Sequence, residues 1–260
     1  MDIVVCLKMV PDTSETEVRV DSSGKDILKV RLIYTTNEAD NYALESALLL
    51  KEKSGGTITL ITVGEPKSDE ILRMGLAKGA DRAIRLTDSL FEKGDAWVTA
   101  KALYYAISQI KYDLILTGCI ATDDGYSQIG PTLAALLNIP SAAYVNKIEV
   151  VDNFKLRVDR ELEGGILEKK EIPLPALLTI QTGINTPRYP SIIGIKKAAA
   201  KPIEVWDAKK LNIDPNSFES LVELEKMYHP IVESKAEFIT GSEDEISAKL
   251  TDIIKEKVGL

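Results

Sequence analysis

Over the first 140 positions, apolar residues alternate between short unbroken runs and stripes at helical spacing. Residues 2–7 form an apolar run that suits a strand covered on both faces. From Asn37 the period changes. Ala43, Ala47 and Leu50 share one helical stripe, Leu44 and Leu48 widen it, and Gly55 with Gly56 ends it. Residues 57–63 return to strand, 67–79 form a second helix closed by glycine, and 81–86 form a third strand. Asp95 stands where it caps the next helix, whose inward stripe is Ala96, Ala100, Leu103, Ile107 and Ile110. A strand over 113–117 and a helix starting near Ser127 complete the series. Strands separated by helices of this length imply a parallel sheet with right-handed crossovers.

After Ser141 the pattern shortens. Residues 147–151, 155–160 and 166–172 alternate apolar and polar and are separated by turn residues, among them Gly164 and Gly165. They predict an antiparallel addition, a hairpin on the sheet edge. Residues 176–180 make one more apolar strand. Beyond Ala200 few apolar positions are periodic, and the chain reads as an extended arm until residues 242–257 regain helical spacing through Ile246, Leu250, Ile253 and Ile254. The fold class is therefore α/β: a mostly parallel, doubly wound sheet with an antiparallel edge addition. The domain spans residues 1–200 and a C-terminal arm spans 201–260. No internal repeat interrupts it.

Composition narrows the function. A length of 260 residues, 45% hydrophobic and 28% charged, is ordinary for a globular chain able to bury a large core. The formal charge of −8 argues against a nucleic-acid surface. Cys6 and Cys119 lie far apart, with neither metal-ligand spacing nor a disulfide framework. The N-terminus lacks the charged region and cleavage site of a signal peptide, and no run reaches the ~18 apolar residues of a membrane span. A reducing, cytoplasmic setting is the expectation.

The most informative stretch is 112–131, YDLILTGCIATDDGYSQIGP. It joins a buried strand to a helix through small and acidic residues. Ligands of open α/β sheets bind beyond the carboxyl ends of the strands, and a helix N-terminus suits a phosphate. Gly118, Gly125 and Gly130 allow close backbone approach. Asp123 or Asp124 suits a ribose hydroxyl or a ring nitrogen. The loop is neither a Walker loop nor a Gly-x-Gly-x-x-Gly turn. The plainer alternative is an ordinary strand-to-helix connection in which Asp and Ser cap the helix. His229, the only histidine, lies in the arm, and no cluster suggests a metal or a nucleophile. The residues read as a binder of a nucleotide-like ligand.

Six motifs carry a resemblance: VVCLKMVPD, NEADNYALESALLLKEK, LRMGLAKGADRAIRL, GCIATDDGYSQIGP, VDRELEGG and NTPRYPSIIGIKKAAAKPIEVW. In order and spacing the chain resembles the small (β) subunit of electron-transferring flavoproteins, weakening only after about Lys210. The resemblance implies an adenine-nucleotide α-hydrolase-like domain, paired with a larger α subunit that carries the electron-transferring FAD. The β subunit then holds either AMP as a structural ligand or a second FAD.

On this resemblance the nucleotide pocket takes Cys6 and Lys8 from the first strand, Asn37 and Asp40 from the first long helix, and Val63 and Gly64 from the second strand. The acidic loop adds Gly118, Asp123, Asp124, Ser127, Gln128 and Ile129. Residues 186–198 would recognise an acyl-CoA dehydrogenase-type partner, with Ile192 as the apolar anchor beside Tyr189, Pro190 and Ile193. Without the resemblance, Ile192, Ile193 and Ile195 read as packing their helix down. Lys196, Lys197 and Lys201 either steer an acidic partner or form a solvated face. Arg160 and Glu161 match a position facing the α subunit's flavin domain. The arm would wrap the α subunit.

Two details lean toward FAD: Asp40 followed by Tyr42-Ala43-Leu44-Glu45, and Ile129-Gly130-Pro131 after Gln128. They look like members that split electron pairs. There NADH reduces the β-bound flavin, one electron passes to the α-subunit flavin, and the other goes to ferredoxin or flavodoxin. Two positions depart from the family, Glu38 in place of proline and Gly125 in place of Asp. Oxidoreductase activity would belong to the α–β complex only. The rival class is a stress-type module holding ATP or AMP without redox chemistry, and a nucleotide hydrolase is a third option.

Overall fold

The computed structural model describes residues 1–92, 94–230 and 236–259. In chain order the elements are β1 (Ile3–Cys6), β2 (Met9–Pro11), β3 (Tyr34–Thr36), α1 (Glu38–Ser54), β4 (Ile58–Val63), α2 (Asp69–Lys78), β5 (Arg82–Leu86), α3 (Ala96–Ile107), β6 (Leu114–Gly118) and α4 (Ile129–Leu137). There follow β7 (Ser141–Asp152), β8 (Lys155–Glu161), β9 (Leu167–Pro173), β10 (Ala176–Ile180), α5 (Ile192–Ala200), β11 (Glu204–Trp206) and α6 (Glu243–Val258).

Among the described residues one nine-stranded sheet runs β11-β5-β4-β1-β6-β10-β7-β8-β9, with β2 and β3 as a separate antiparallel pair. From β11 to β7 every pairing is parallel; β8 and β9 are antiparallel. Alternation along β1 divides the core into two layers. Ile3 and Val5 join Ala43, Leu44, Leu72, Leu76 and Ala198 of α1, α2 and α5 on one face. Val4 and Cys6 join Val98, Leu103, Ile107, Leu133 and Ala134 of α3 and α4 on the other. The architecture is the α/β, mostly parallel, doubly wound sheet with an antiparallel extension that the pattern implies.

Local chemistry sets the helix ends. Gly55 and Gly79 close α1 and α2 at φ 68° and 130°, conformations that cost glycine least. The Asp95 side chain accepts from the Val98 N–H and caps α3. α1 starts at Glu38, whose carboxylate in the first turn complements the helix dipole.

Three features differ from the expectations. α4 begins at Ile129 rather than near Ser127, because Ser127 is left-handed (φ 55°), and no side chain caps the helix. β7 begins at Ser141 and pairs parallel with β10 before turning antiparallel to β8. The edge addition is thus the expected set of three antiparallel strands, joined to the parallel sheet through the first residues of β7. Residues 204–218, placed by the sequence at the start of the arm, lie on the domain. β11 pairs with β5, and Trp206, Leu211, Ile213 and Phe218 are buried in the second core layer. A three-residue strand is too short to show a period. α6 has a complete capping box, Ser242 with Glu245, and all its residues are exposed except Ile246, which is half-buried. Residues 231–235 and 260 of the expected arm fall outside the described residues. No described helix is long and apolar enough to cross a membrane.

Candidate functional site

The chain leaves β1 for β4 and β5 on one side, then returns through α3 to β6 on the other. The crevice at such a switch point is the standard ligand position of an open α/β sheet. A cleft of about 650 Å³ opens there, at the carboxyl ends of β1, β4, β5 and β6.

Cys6, Lys8, Asn37, Asp40, Val63, Gly64, Gly118, Asp124, Ser127, Gln128 and Ile129 all line this cleft. Asp123 stands beside it: Lys8 Nζ lies 2.6 Å from Asp123 Oδ1 and 2.7 Å from Asp124 Oδ2. These groups are more than a third exposed on average, so water screens the bridge, which is worth under ~1 kcal/mol. Its use is positional, since it places a cation against the acidic loop.

Asn37 and Asp40 form the floor. Only 1% and 6% exposed, they spend their polar atoms on backbone groups. Asp40 Oδ2 accepts from the Lys8 N–H at 2.7 Å and Oδ1 from the Gly118 N–H at 2.9 Å. Asn37 Nδ2 donates to the Ile120 carbonyl and Asn37 Oδ1 accepts from the Thr122 N–H. The first turn of α1 therefore fixes the ends of β1 and β6. Burial pushes the Asp40 carboxyl up to about 6, against the lowering by the hydrogen bonds from Lys8, Asn37 and Gly118. Burial also pushes the Cys6 and Cys119 thiols up, which keeps them protonated.

Backbone approach is close at two glycines. A Cβ on Gly118 would lie 2.4 Å from Asp40 Oδ1, and one on Gly130 would lie 2.3 Å from Thr179 Cγ2. In the loop between, Asp124 Oδ1 accepts from the Tyr126 N–H. No side chain caps α4, and its first residues, Ile129 and Gly130, line the cleft with N–H groups suited to an anion.

Sequence reasoning missed most of the opposite wall. Beside the expected Val63, the side chains of Leu86, Phe91 and Leu103 give it an apolar surface, and Asp88, Asp95, Asp26 and Lys29 edge it. Asp88 Oδ2 accepts from the Ala208 N–H, and Asp95 Oδ2 from the Leu221 and Val222 N–H groups, so both anchor the C-terminal segment. The available signal was that the turn after β5, like those after β1 and β6, leaves a strand's carboxyl end. His229 is exposed in the arm, beside Glu17. No group of metal-ligating side chains occurs among the described residues.

A second feature lies away from the cleft. Tyr189, Ile192, Ile193 and Ile195 are 95%, 75%, 66% and 50% exposed. They do not pack α5 down; Ala198 and the close approach of Gly194 to the Ala77 carbonyl seat that helix on α2. Glu161 lies near the Gln181 amide, at 3.5 Å, and Arg160 pairs with Glu168 on β9.

Fold and cleft define an α/β protein with an open cleft at its topological switch point. Residues 30–211 match the electron transfer flavoprotein domain. The chain is 39% identical to the electron transfer flavoprotein subunit beta of Methylophilus methylotrophus, covering all of both chains. It is 38% identical to the same subunit of Thermoanaerobacterium thermosaccharolyticum, covering 99% of each. To the caffeyl-CoA reductase-Etf complex subunit CarD of Acetobacterium woodii it is 35% identical, again over 99% of each. The chain belongs to the electron transfer flavoprotein family and groups with its β subunits.

Proposed function

We propose that this chain is the β subunit of a heterodimeric electron carrier, with FAD in the switch-point cleft and a flavin-bearing α subunit as its partner. The cleft itself carries the reading. The phosphates of a nucleotide fit against the uncapped N-terminal turn of α4, and Lys8, paired with Asp123 and Asp124, lines the same cleft. An aromatic ring system fits the apolar wall of Val63, Leu86, Phe91 and Leu103. The cleft, about 650 Å³, is of ordinary ligand-pocket size, and Asp40 with Tyr42-Ala43-Leu44-Glu45 and Ile129-Gly130-Pro131 favours FAD over AMP.

A flavin held by Lys8 and the α4 turn would supply hydride acceptance from NADH and one-electron transfer toward the α-subunit flavin and ferredoxin or flavodoxin. Everything else is the protein's part. Lys8 and the α4 turn would orient the phosphates, and Asp40 would hold the strand ends that form the floor. The exposed segment 186–198 would dock an acyl-CoA dehydrogenase-type partner through Ile192 and Tyr189, with Ile193 beside them. Glu161 would face the α subunit, and the arm carrying α6 would wrap it, since the apolar residues Leu250, Ile253 and Ile254 are exposed on the chain alone.

Anaerobic titration of the purified α–β complex with NADH, followed by flavin absorbance, tests the reading. Direct bleaching without any dehydrogenase is the expected result. A complex reduced only through an acyl-CoA dehydrogenase would be a simple carrier with AMP in the cleft.

A further inference from the structure

Tyr189 and Ile192 project into solvent from a segment that is fastened on both sides. On the N-terminal side, Arg188 Nε and Nη2 fork onto the Glu45 carboxylate at 2.8–3.1 Å, and the Arg188 backbone N–H donates to Glu45 Oε2 at 3.0 Å. Arg188 Nη1 reaches Glu52, one side of α1 further along, at 2.6 Å. Asn185 Nδ2 donates to the Tyr42 carbonyl and to Ser46 Oγ. On the C-terminal side, Ser191 Oγ accepts from the Gly194 N–H, and Gly194 presses on the Ala77 carbonyl, where a Cβ would stand at 2.3 Å. Arg73 Nη1 closes that end by donating to the carbonyls of Ala198 and Lys201.

The Glu45 side chain is 5% exposed. A buried carboxylate is costly unless its lone pairs are filled, and here one arginine fills them with both its fork and its own backbone N–H. Tyr189, 95% exposed, directly follows the residue that this charged pair fixes to α1.

We propose that Arg188 is a positioning residue for partner docking: its pairing with Glu45 and Glu52 pre-organises residues 189–193 so that Tyr189 and Ile192 meet the partner without first being ordered. The proposal rests on the docking role given to residues 186–198. Helix α1 thereby serves two sites, with Asn37 and Asp40 at its first turn under the cleft and Glu45 and Glu52 further along under the docking segment.

The test uses the intact α–β complex with Arg188→Lys, which keeps the charge but loses the fork. Glu45→Gln, which keeps the shape and the acceptor, serves as the second variant. Ile192→Ala is the control. Two readouts are taken: amide hydrogen exchange over 186–193, and steady-state flavin reduction by a purified acyl-CoA dehydrogenase with its acyl-CoA, the dehydrogenase concentration being varied. Both pairing variants should raise exchange over 186–193, and should raise KM for the dehydrogenase roughly tenfold with kcat and nucleotide content unchanged. Ile192→Ala should raise KM without altering exchange. Unaltered exchange and KM in both pairing variants, beside an impaired Ile192→Ala, overturns the positioning role alone. An unaltered KM for Ile192→Ala overturns the docking reading, and the positioning role with it.

Discussion

Asp40 Oδ1 accepts a hydrogen bond from the Gly118 backbone N–H at 2.9 Å, tying the first turn of α1 to the end of β6. The contact leaves no room for a side chain at 118. A Cβ there would also lie 2.8 Å from Ala39 Cβ and 2.9 Å from the Asp40 N. Gly118→Ala should therefore force α1 away from the sheet, cost about 1–3 kcal/mol in urea unfolding, and lower nucleotide occupancy. Wild-type stability in that variant would show that α1 yields freely.

The same carboxylate sets a pH dependence. Burial raises the folded value to about 6 from an ordinary 3.8. Folding thus takes up a proton at this site, and the stability it contributes is present below about pH 4 and lost as pH rises through about 6. Asp40→Asn removes that titration. Relative to wild type, the variant should gain on the order of 2 kcal/mol between pH 4 and pH 7. A constant difference between the two proteins over that range would contradict the burial effect.

Asp124 lines the cleft, pairs with Lys8 and holds the Tyr126 N–H. Asp124→Ala should loosen the loop ahead of α4 and weaken nucleotide binding by roughly tenfold, read as lost occupancy after dialysis. Unchanged occupancy would put the ligand elsewhere.

Ile192 is exposed and makes no part of the core. Ile192→Ala should leave Tm and nucleotide content alone while weakening transfer from the dehydrogenase by ~1–3 kcal/mol in kcat/KM. Full transfer would remove it as an anchor.

Trp206 distinguishes the domain from the arm. It is 5% exposed, and its Nε1 donates to Glu204, which also pairs with Arg82. Trp206→Ala should cost about 3–5 kcal/mol of stability. Phe238→Ala, at a side chain 91% exposed, should change the isolated chain's stability by less than about 0.5 kcal/mol.

How much of this was legible depends on the kind of signal. Runs such as 2–7 and 176–180 are unbroken because both faces of a central strand are covered, and they mark β1 and β10 to within a residue or so. Asp95 and Gly79 name their helix ends because capping is local chemistry. The start of α4 was misread because the left-handed turn at Ser127 leaves no composition signal at a non-glycine residue. β11 and the burial of Phe218 depend on a partner, β5 and α3, more than a hundred positions back in the chain, and no local period reports it. In the cleft, the residues on the β1, β4 and β6 turns were found, while the Phe91 and Asp88 wall was not. What the Asn37 and Asp40 side chains do was not legible: they hold backbone groups, which only the hydrogen bonds reveal.

A flavin nucleotide in the switch-point cleft would show in the nucleotide content of the α–β complex. The purified complex is denatured and its released nucleotides are resolved by chromatography and counted against protein. Two FAD per heterodimer is the expected result. One FAD with one AMP, or one FAD alone, would contradict it.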